Sequence, residues 1–361
     1  MKFDPNAPAS EDAGLYGLPH TVDQAHVVVV PVPFEATVSY REGTARGPRA
    51  ILLASHQVDL FDGDVGEPWQ RGIAMVAVPA WLDELNVLAR AAALAAISAQ
   101  IAGDVPAAQD IALVDAAGQR VNDWVQAQVS ALLKLGKLPV VVGGDHSVPF
   151  GAIAACAHHL GATPLGILHL DAHCDLRAAY EGFRWSHASI MKNVLDEVPT
   201  ARLVQIGIRD FGAAELQVVR DHRDRVTTYF DAHLRQARLD GTFRVLAQRI
   251  VDNLPHDVYL SFDIDGLDPA LCPSTGTPVP GGLSFDEILT VLATVQCSGR
   301  RVVGLDLVEV APPADLDDDE LGDCWDANVG ARLLYKMIGT ALLSRGEGRT
   351  PDLPTPPGVD R

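Results

Sequence analysis

Short apolar runs alternate along this chain with longer amphipathic stretches. The apolar runs are typical of buried strands in a parallel sheet, and they lie at 27–31, 73–78, 140–142, 165–170, 203–208, 258–262 and 302–308. Helical spacing of apolar residues marks the other stretches, which lie at 82–101, 113–135, 185–198, 211–222, 245–253 and 330–343. Further helices are predicted to begin at Pro48, directly after His146, and at Ser284, where Glu287 three residues on completes a capping box. Strands and helices in alternation predict an α/β protein with one doubly wound sheet.

The two ends of the chain differ from this pattern. Residues 1–24 are polar and interrupted by Pro and Gly, which predicts an N-terminal arm. Residues 346–361 are rich in Pro and Gly, which predicts an irregular C-terminal tail. Because no linker, repeat or low-complexity segment interrupts residues 25–345, we expect a single α/β domain there.

One apolar run ends in polar residues at alternate positions. Asp171, His173 and Asp175 directly follow the predicted strand at 165–170. Side chains at i, i+2 and i+4 lie on one side of an extended chain, so these three groups point to one place. Two carboxylates and an imidazole with no basic partner nearby favour a bound divalent cation, because the cation relieves their repulsion.

Two other apolar runs end in the same kinds of side chain. His146 follows the pair Gly143-Gly144, and Asp263 and Asp265 follow the run at 258–262. Ligands of open α/β sheets bind at the carboxyl ends of the strands, so we expect one shared crevice. Four carboxylates and two imidazoles suit two divalent ions with a bridging water, about 3.5–4 Å apart. The predicted metal ligands are His146, Asp171, His173, Asp175, Asp263 and Asp265. Asp145 is expected to hydrogen-bond one of the ligand histidines.

The motifs G-G-D-H-S (143–147), D-A-H-x-D (171–175) and S-x-D-x-D-x-x-D-P (261–269) resemble those of the ureohydrolase family of arginases and agmatinases. The resemblance implies a three-layer α/β/α fold around a mainly parallel sheet of roughly eight strands. It also implies a dinuclear metal centre that hydrolyses guanidino C–N bonds. His187, with Asp175, is then expected to pass a proton to the leaving amine, and Glu309 to bind the substrate guanidinium.

Three N-terminal segments carry a finer resemblance. G-L-Y-G-L-P (14–19), V-P-F-E-A-T-V-S-Y (32–40) and G-T-A-R-G-P (43–48) look like the guanidine hydrolase branch, which acts on small guanidines and biguanides and is associated with nickel. Nickel is therefore the expected metal, and manganese is the alternative because both accept histidine and carboxylate ligands. Thr44, in the third segment, is expected to contact the substrate.

The loop after Asp175 departs from the arginase pattern. It carries Tyr180, Phe183 and Trp185 where arginases have an Asn/Ser-rich segment that grips the α-carboxylate of an amino acid. An arginine substrate is therefore disfavoured, and Tyr180 and Trp185 are predicted to stack on a small planar guanidinium. The alternative is that these aromatic residues pack at a contact between subunits.

Composition excludes several other classes of function. A net charge of −19 argues against nucleic-acid binding. It is typical of a solvated acidic surface, and the alternative is that it attracts a cationic substrate toward an acidic mouth. The five cysteines lack paired spacing, and the chain has neither a signal-peptide pattern nor an apolar run of membrane-spanning length, so we expect a cytoplasmic protein with no membrane partner. The family resemblance implies trimers or hexamers, including a mixed assembly with a related subunit, and the nickel association of the finer branch implies nickel-loading accessory proteins as partners.

Two further functions stay open at this stage. An agmatinase or a guanidinobutyrase-like enzyme would use the same chemistry on a longer substrate. A non-catalytic subunit of a hetero-oligomeric hydrolase belongs to another class, and the presence of all six predicted ligands together with Glu309 argues against it.

Overall fold

The computed structural model describes residues 3–10 and 13–354. Within these residues the strands are Val27–Val32 (β1), Ile73–Met75 (β2), Leu138–Gly143 (β3), Leu165–Leu170 (β4), Ala201–Ile208 (β5), Val226–Phe230 (β6), Asp257–Asp263 (β7) and Arg301–Val308 (β8). The α-helices are Gly47–Ala54 (α1), Ala80–Ile101 (α2), Ala108–Lys134 (α3), Phe150–Leu160 (α4), Ile190–Glu197 (α5), Ala213–Asp221 (α6), Asp231–Leu239 (α7), Phe243–Asp252 (α8), Phe285–Cys297 (α9) and Trp325–Ser344 (α10).

All eight strands form one sheet in the order β2-β1-β3-β8-β7-β4-β5-β6, and every neighbouring pair is parallel. This confirms the predicted parallel sheet of about eight strands. The four strands at its centre are β3, β8, β7 and β4, and these are the strands that the predicted site residues follow in the sequence.

Helices cover both faces of the sheet, which gives the three-layer architecture. Alternate strand residues point to opposite faces, so Val27 and Val29 of β1 pack in one core cluster while Val28 and Val30 pack in the other. The first cluster includes α1, α7, α8, α9 and α10, and the second includes α2, α3, α4 and α5. Strands buried on both faces explain why their sequences are continuous apolar runs.

The described part of the predicted arm packs on the rest of the protein. Leu15, Tyr16 and Leu18 are buried in the first core cluster, and the Tyr16 hydroxyl donates to the carbonyl oxygen of Ala331 at 3.0 Å. Burial of these three apolar side chains ties the segment down instead of leaving it extended. Of the predicted tail, residues 355–361 lie outside the described part of the chain.

Element boundaries differ from the prediction where flanking residues intervene. The strand predicted at 73–78 ends at Met75, because the chain leaves the sheet before Pro79 and enters α2 at Ala80. The predicted capping box of α9 is present, with Ser284 accepting from the backbone N–H of Glu287 and the Glu287 carboxylate accepting from that of Ser284. None of the helices within residues 3–10 and 13–354 combines the length and apolar character that crossing a membrane requires.

Candidate active site

The carboxyl ends of the four central strands meet at one edge of the sheet. β3 leads to His146, β4 leads to Asp171, β7 ends at Asp263, and β8 leads to Glu309. Side chains that are distant in sequence therefore converge because their strands are neighbours in the sheet. The structure brings together all six residues that the sequence predicts as metal ligands.

His146 lies among three carboxylates. Its Nδ1 atom is 3.0 Å from Oδ2 of Asp171, 3.2 Å from Oδ2 of Asp175 and 3.3 Å from Oδ2 of Asp263. All four side chains are buried. One imidazole nitrogen with three carboxylate oxygens within 3.3 Å of it forms a set of ligand atoms that suits a divalent cation.

A second group of donors shares Asp171 with the first. Nδ1 of His173 lies 3.1 Å from Oδ2 of Asp265 and 3.4 Å from Oδ1 of Asp171. The two carboxylate oxygens of Asp171 thus face different groups. Asp171 therefore belongs to both groups of residues that would hold the ions of a dinuclear centre.

The electrostatics of the cluster agree with cation binding. Burial, together with Asp265 and Asp171, raises the pKa of Asp263 well above its ordinary value. Burial and the neighbouring Asp171 raise the pKa of Asp175 to about 7. Carboxylates crowded in the interior are stable as anions only beside compensating positive charge, so the residues present fit a pair of divalent ions.

A row of polar side chains lies in the sheet one layer beneath these donors. Adjacent strands pair Thr228 with Gln205, Gln205 with His169, His169 with Ser261 and Ser261 with Asp306. Nε2 of His146 lies 3.0 Å from the Ser261 hydroxyl, which donates to Asp306 Oδ1 at 3.2 Å. Ser261 therefore accepts from Nε2–H of His146, which leaves Nδ1 free to bind a cation.

His169 holds Asp171 from the same row. The Thr228 hydroxyl donates to the Gln205 carbonyl oxygen at 2.8 Å, which directs the Gln205 amide nitrogen to Nδ1 of His169 at 3.0 Å. Nε2 of His169 then carries the hydrogen and donates to Oδ2 of Asp171 at 2.8 Å. His169 is near enough to count geometrically among possible ligands, but this hydrogen-bond pattern makes it a donor to Asp171.

Glu309 is buried beside the predicted metal ligands and has a strained backbone. Its Oε1 accepts from the backbone N–H of His146 at 2.9 Å. Its φ of +60° is uncommon for a non-glycine residue, as is the φ of +53° at Asp175. Burial, with the charges of Asp145 and Asp265, raises its pKa well above the ordinary value. Oε2 faces Gly276, where an added Cβ would lie 3.1 Å away.

A cavity of about 290 Å³ opens above the donors. Of the predicted site residues, it is lined by His173, Asp175, Tyr180 and His187. Residues that the sequence interpretation did not select also line it, namely Ser39, Tyr40, Arg177, Ala188, Asp210, Glu215, Thr277, Pro278 and Val279. Glu309 lies outside this lining, next to Gly276, one residue before the lining residue Thr277.

His187 begins a 3₁₀ turn, His187–Ser189, at the cavity wall. Its Nδ1 lies 3.1 Å from the Thr37 hydroxyl, and its ring meets that of Tyr180 edge-on at 5.9 Å. Burial, followed by the neighbouring imidazoles of His173 and His146, lowers the pKa of His187 to about 3. The ring is therefore neutral near pH 7.

Trp185 lies away from the cavity, contrary to expectation. Its ring packs 4.8 Å from that of Phe150, and it fills the space that a Cβ on Gly118 would occupy. The loop bends there because Asp115 accepts the backbone N–H groups of Arg184 and Trp185. Trp185 is thus a core residue between helices, which removes it from the set that can contact a substrate directly.

Thr44 and Asp145 also differ from their expected contacts. Thr44 is buried, and its hydroxyl donates to Glu35 Oε2 at 3.1 Å, so it closes its own loop instead of lining the cavity. Asp145 accepts from Ser147 and Thr37 and has no hydrogen bond to a ligand histidine in the described part of the chain. Its Oδ1 is held by the backbone N–H of Ser147, and its Oδ2 faces Thr37.

Comparison with known proteins agrees with this geometry. The model of the arginase family matches residues 25–339. The chain is 32% identical to the N(1)-aminopropylagmatine ureohydrolase of Thermus thermophilus, covering 90% of this chain and 93% of the relative. It is also 32% identical to the proclavaminate amidinohydrolase of Streptomyces clavuligerus, covering 86% and 87%. The solved agmatine ureohydrolase of Thermoplasma volcanium superposes with a TM-score of 0.68 at 26% identity, covering 92% and 96%.

The chain therefore belongs to the arginase family. This makes it a hydrolase that acts on C–N bonds, as the resemblance in the sequence implied.

Proposed function

We propose that this enzyme hydrolyses free guanidine or a small substituted guanidine or biguanide to urea, or a urea derivative, plus ammonia or an amine. The observation that carries the proposal is the cavity of about 290 Å³ where His173, Asp175, His187 and Tyr180 meet. This volume is at the lower end for small-molecule sites, which favours a small substrate. The N-terminal segments that resemble guanidine hydrolases support the same substrate class.

The metal centre in this proposal is held by six side chains. They are His146, Asp171, His173, Asp175, Asp263 and Asp265. Two divalent ions bound there would lower the pKa of a water molecule between them and supply a nucleophile near neutral pH. Nickel is the proposed metal because of the N-terminal resemblance, and manganese is the alternative.

Other residues bind the substrate and move its protons. Glu309 accepts N–H groups of the guanidinium, whose positive charge offsets the burial of that carboxylate. The Tyr180 ring provides a flat wall for the planar cation. His187, aided by Asp175, accepts the proton released by the attacking water and donates it to the departing amine.

An agmatinase-like activity is the second candidate. Asp210 is an exposed carboxylate in the cavity lining, and it suits the distal ammonium group of a longer substrate. The printed names of several relatives, including the agmatinase of Serratia proteamaculans at 31% identity, favour this substrate class. Arg177 also lines the cavity. Its guanidinium lies 3.5 Å from the Glu215 carboxylate and stacks on the Tyr180 ring, so its positive charge is already paired within the protein.

Urea release separates the two candidates. Protein loaded separately with Ni²⁺ and Mn²⁺ is offered guanidine, dimethylguanidine and agmatine, while metformin is followed by amine release. We expect turnover of the small compounds, highest with nickel, and an unchanged KM for guanidine in Asp210→Asn. Turnover of agmatine alone, with a KM that rises in Asp210→Asn, would replace the small-guanidine proposal by the second candidate. A protein that turns over none of them and only activates a partner chain would support the non-catalytic subunit.

A further inference from the structure

Thr37, in the loop after β1, makes two hydrogen bonds to His187. Its Oγ1 atom is 3.1 Å from Nδ1 of the imidazole and accepts from the backbone N–H of His187, also at 3.1 Å. Thr37 is 1% exposed. Two contacts with the same residue, one to the ring and one to the main chain, fix both the position and the orientation of the imidazole.

Asp145 determines which way the Thr37 hydroxyl points. Its Oδ1 accepts from the backbone N–H of Ser147 at 3.0 Å and from the Ser147 hydroxyl at 2.5 Å. Its Oδ2 faces the Thr37 hydroxyl at 3.3 Å and the Thr37 backbone N–H at 3.4 Å. A buried carboxylate is a stronger acceptor than a neutral imidazole nitrogen, so the single hydroxyl hydrogen goes to Asp145.

The loop that carries Thr37 is held from two sides. Arg90 of α2 donates to the carbonyl oxygens of Ala36 at 3.2 Å and Val38 at 2.6 Å, the two neighbours of Thr37. Oε2 of Glu35 accepts from the backbone N–H of Gly43 at 2.7 Å, which closes the loop on itself. Thr37 is therefore already in position before any substrate binds.

We propose that Thr37 is a positioning residue that keeps His187 in the tautomer with hydrogen on Nδ1 and leaves Nε2 free to accept a proton. This inference rests on the proposed function of His187 as the proton carrier. Since the Thr37 oxygen gives its hydrogen to Asp145, it accepts from Nδ1–H. One proton then moves from the attacking water to Nε2 and from Nε2 to the leaving amine, and the ring returns to its starting state while Nδ1 keeps its hydrogen.

Matched variants at Thr37 test this assignment. Thr37→Val keeps the shape and removes the hydroxyl, and Thr37→Ser restores it. We expect Thr37→Val to lower kcat by about 10²-fold, the size expected for a misplaced catalytic group, with KM and metal content close to wild type. The solvent deuterium isotope effect on kcat should rise because proton transfer becomes rate-limiting, and Thr37→Ser should recover most of the loss. Thr290→Val on α9, outside the cavity lining, is the control.

His187→Asn separates failure of this inference from failure of the proposed function. If His187→Asn keeps wild-type activity, His187 is not the proton carrier and the function assigned to it fails. If His187→Asn is inactive while Thr37→Val matches wild type, or if Thr37→Ser recovers nothing, the role of Thr37 is overturned and that of His187 stands.

Asp145→Asn tests the proposed tautomer of His187 if Thr37→Val does not fold. The backbone N–H of Ser147 holds the amide oxygen of such an asparagine, which directs its NH₂ group to Thr37. The hydroxyl hydrogen then turns to Nδ1 of His187 and imposes the other tautomer. The same loss of kcat and rise in isotope effect are expected, and wild-type kinetics would overturn the inference.

Discussion

Nε2 of His169 donates a hydrogen bond to Oδ2 of Asp171 at 2.8 Å, inside the sheet and directly beneath the predicted metal ligands. Asp171 is the carboxylate that both donor groups share. Its orientation therefore affects both proposed ion positions at once. His169 in turn is oriented by the Gln205 amide, so the position of Asp171 depends on two strands of the sheet.

We expect His169→Phe to weaken the binding of divalent cations by about 10- to 100-fold, the range typical for loss of a hydrogen-bond partner of a metal ligand. Phenylalanine fills the space but gives Asp171 no donor. Competition with a chelator, using Ni²⁺ and Mn²⁺ separately, measures this loss. His159→Phe, at an exposed position of α4, is the matched control. Equal affinity in the two variants would mean that Asp171 is held without His169.

The six proposed metal ligands could be predicted from the sequence because each follows an apolar run that marks a buried strand. The polar row beneath them could not be predicted in the same way. His169 lies inside such a run, where a single histidine resembles any core residue. Its contact with Gln205 depends on the register between β4 and β5, which distant parts of the chain determine.

The sequence pattern does not predict the edge strand β6 and helix α7, for a similar reason. β6 has the sequence Val-Thr-Thr-Tyr-Phe and is half-buried over most of its length, so it lacks a continuous apolar run. The sequence pattern also does not predict where side chains in loops point. Asp115 accepts from the backbone N–H of Trp185, and Glu35 accepts from the hydroxyl of Thr44. Neither of these contacts follows from local spacing in the sequence.

Glu309→Gln tests the proposed guanidinium partner. Glutamine can still accept from the backbone N–H of His146, so the fold and the metal ligands should stay in place. Loss of the negative charge should lower kcat/KM by roughly 30-fold or more, since removing one member of a buried charge pair costs about 2 kcal/mol at least. Steady-state kinetics and metal analysis measure the two effects. Glu84→Gln on α2 is the exposed control, and a Glu309→Gln enzyme as active as this control would remove Glu309 from substrate binding.

Arg209 should stabilise the loop over the metal centre. Its guanidinium donates to the carbonyl oxygens of Asp265 at 2.8 Å, Leu267 at 3.1 Å and Val279 at 2.8 Å. Arg209→Met removes these bonds and should lower the free energy of unfolding by about 2 kcal/mol, because hydrogen bonds to charged groups are among the stronger ones. Hydrogen exchange in residues 277–283 should become faster. Arg220→Met, on exposed α6, is the control, and unchanged exchange would contradict this role.

Asp306→Asn should stabilise the metal-free protein, more at pH 8 than at pH 5.5. Burial raises the pKa of Asp306 to about 6, above the ordinary 3.8, so its contribution to stability is present at low pH and is lost as the pH rises through 6. A shift of this size corresponds to about 3 kcal/mol at pH 8. Asparagine keeps an acceptor for the Ser261 hydroxyl and has no charge to bury. Urea unfolding with chelator at both pH values measures the difference, and a stabilisation that shrinks with rising pH would show that the folded protein favours the charged form of Asp306.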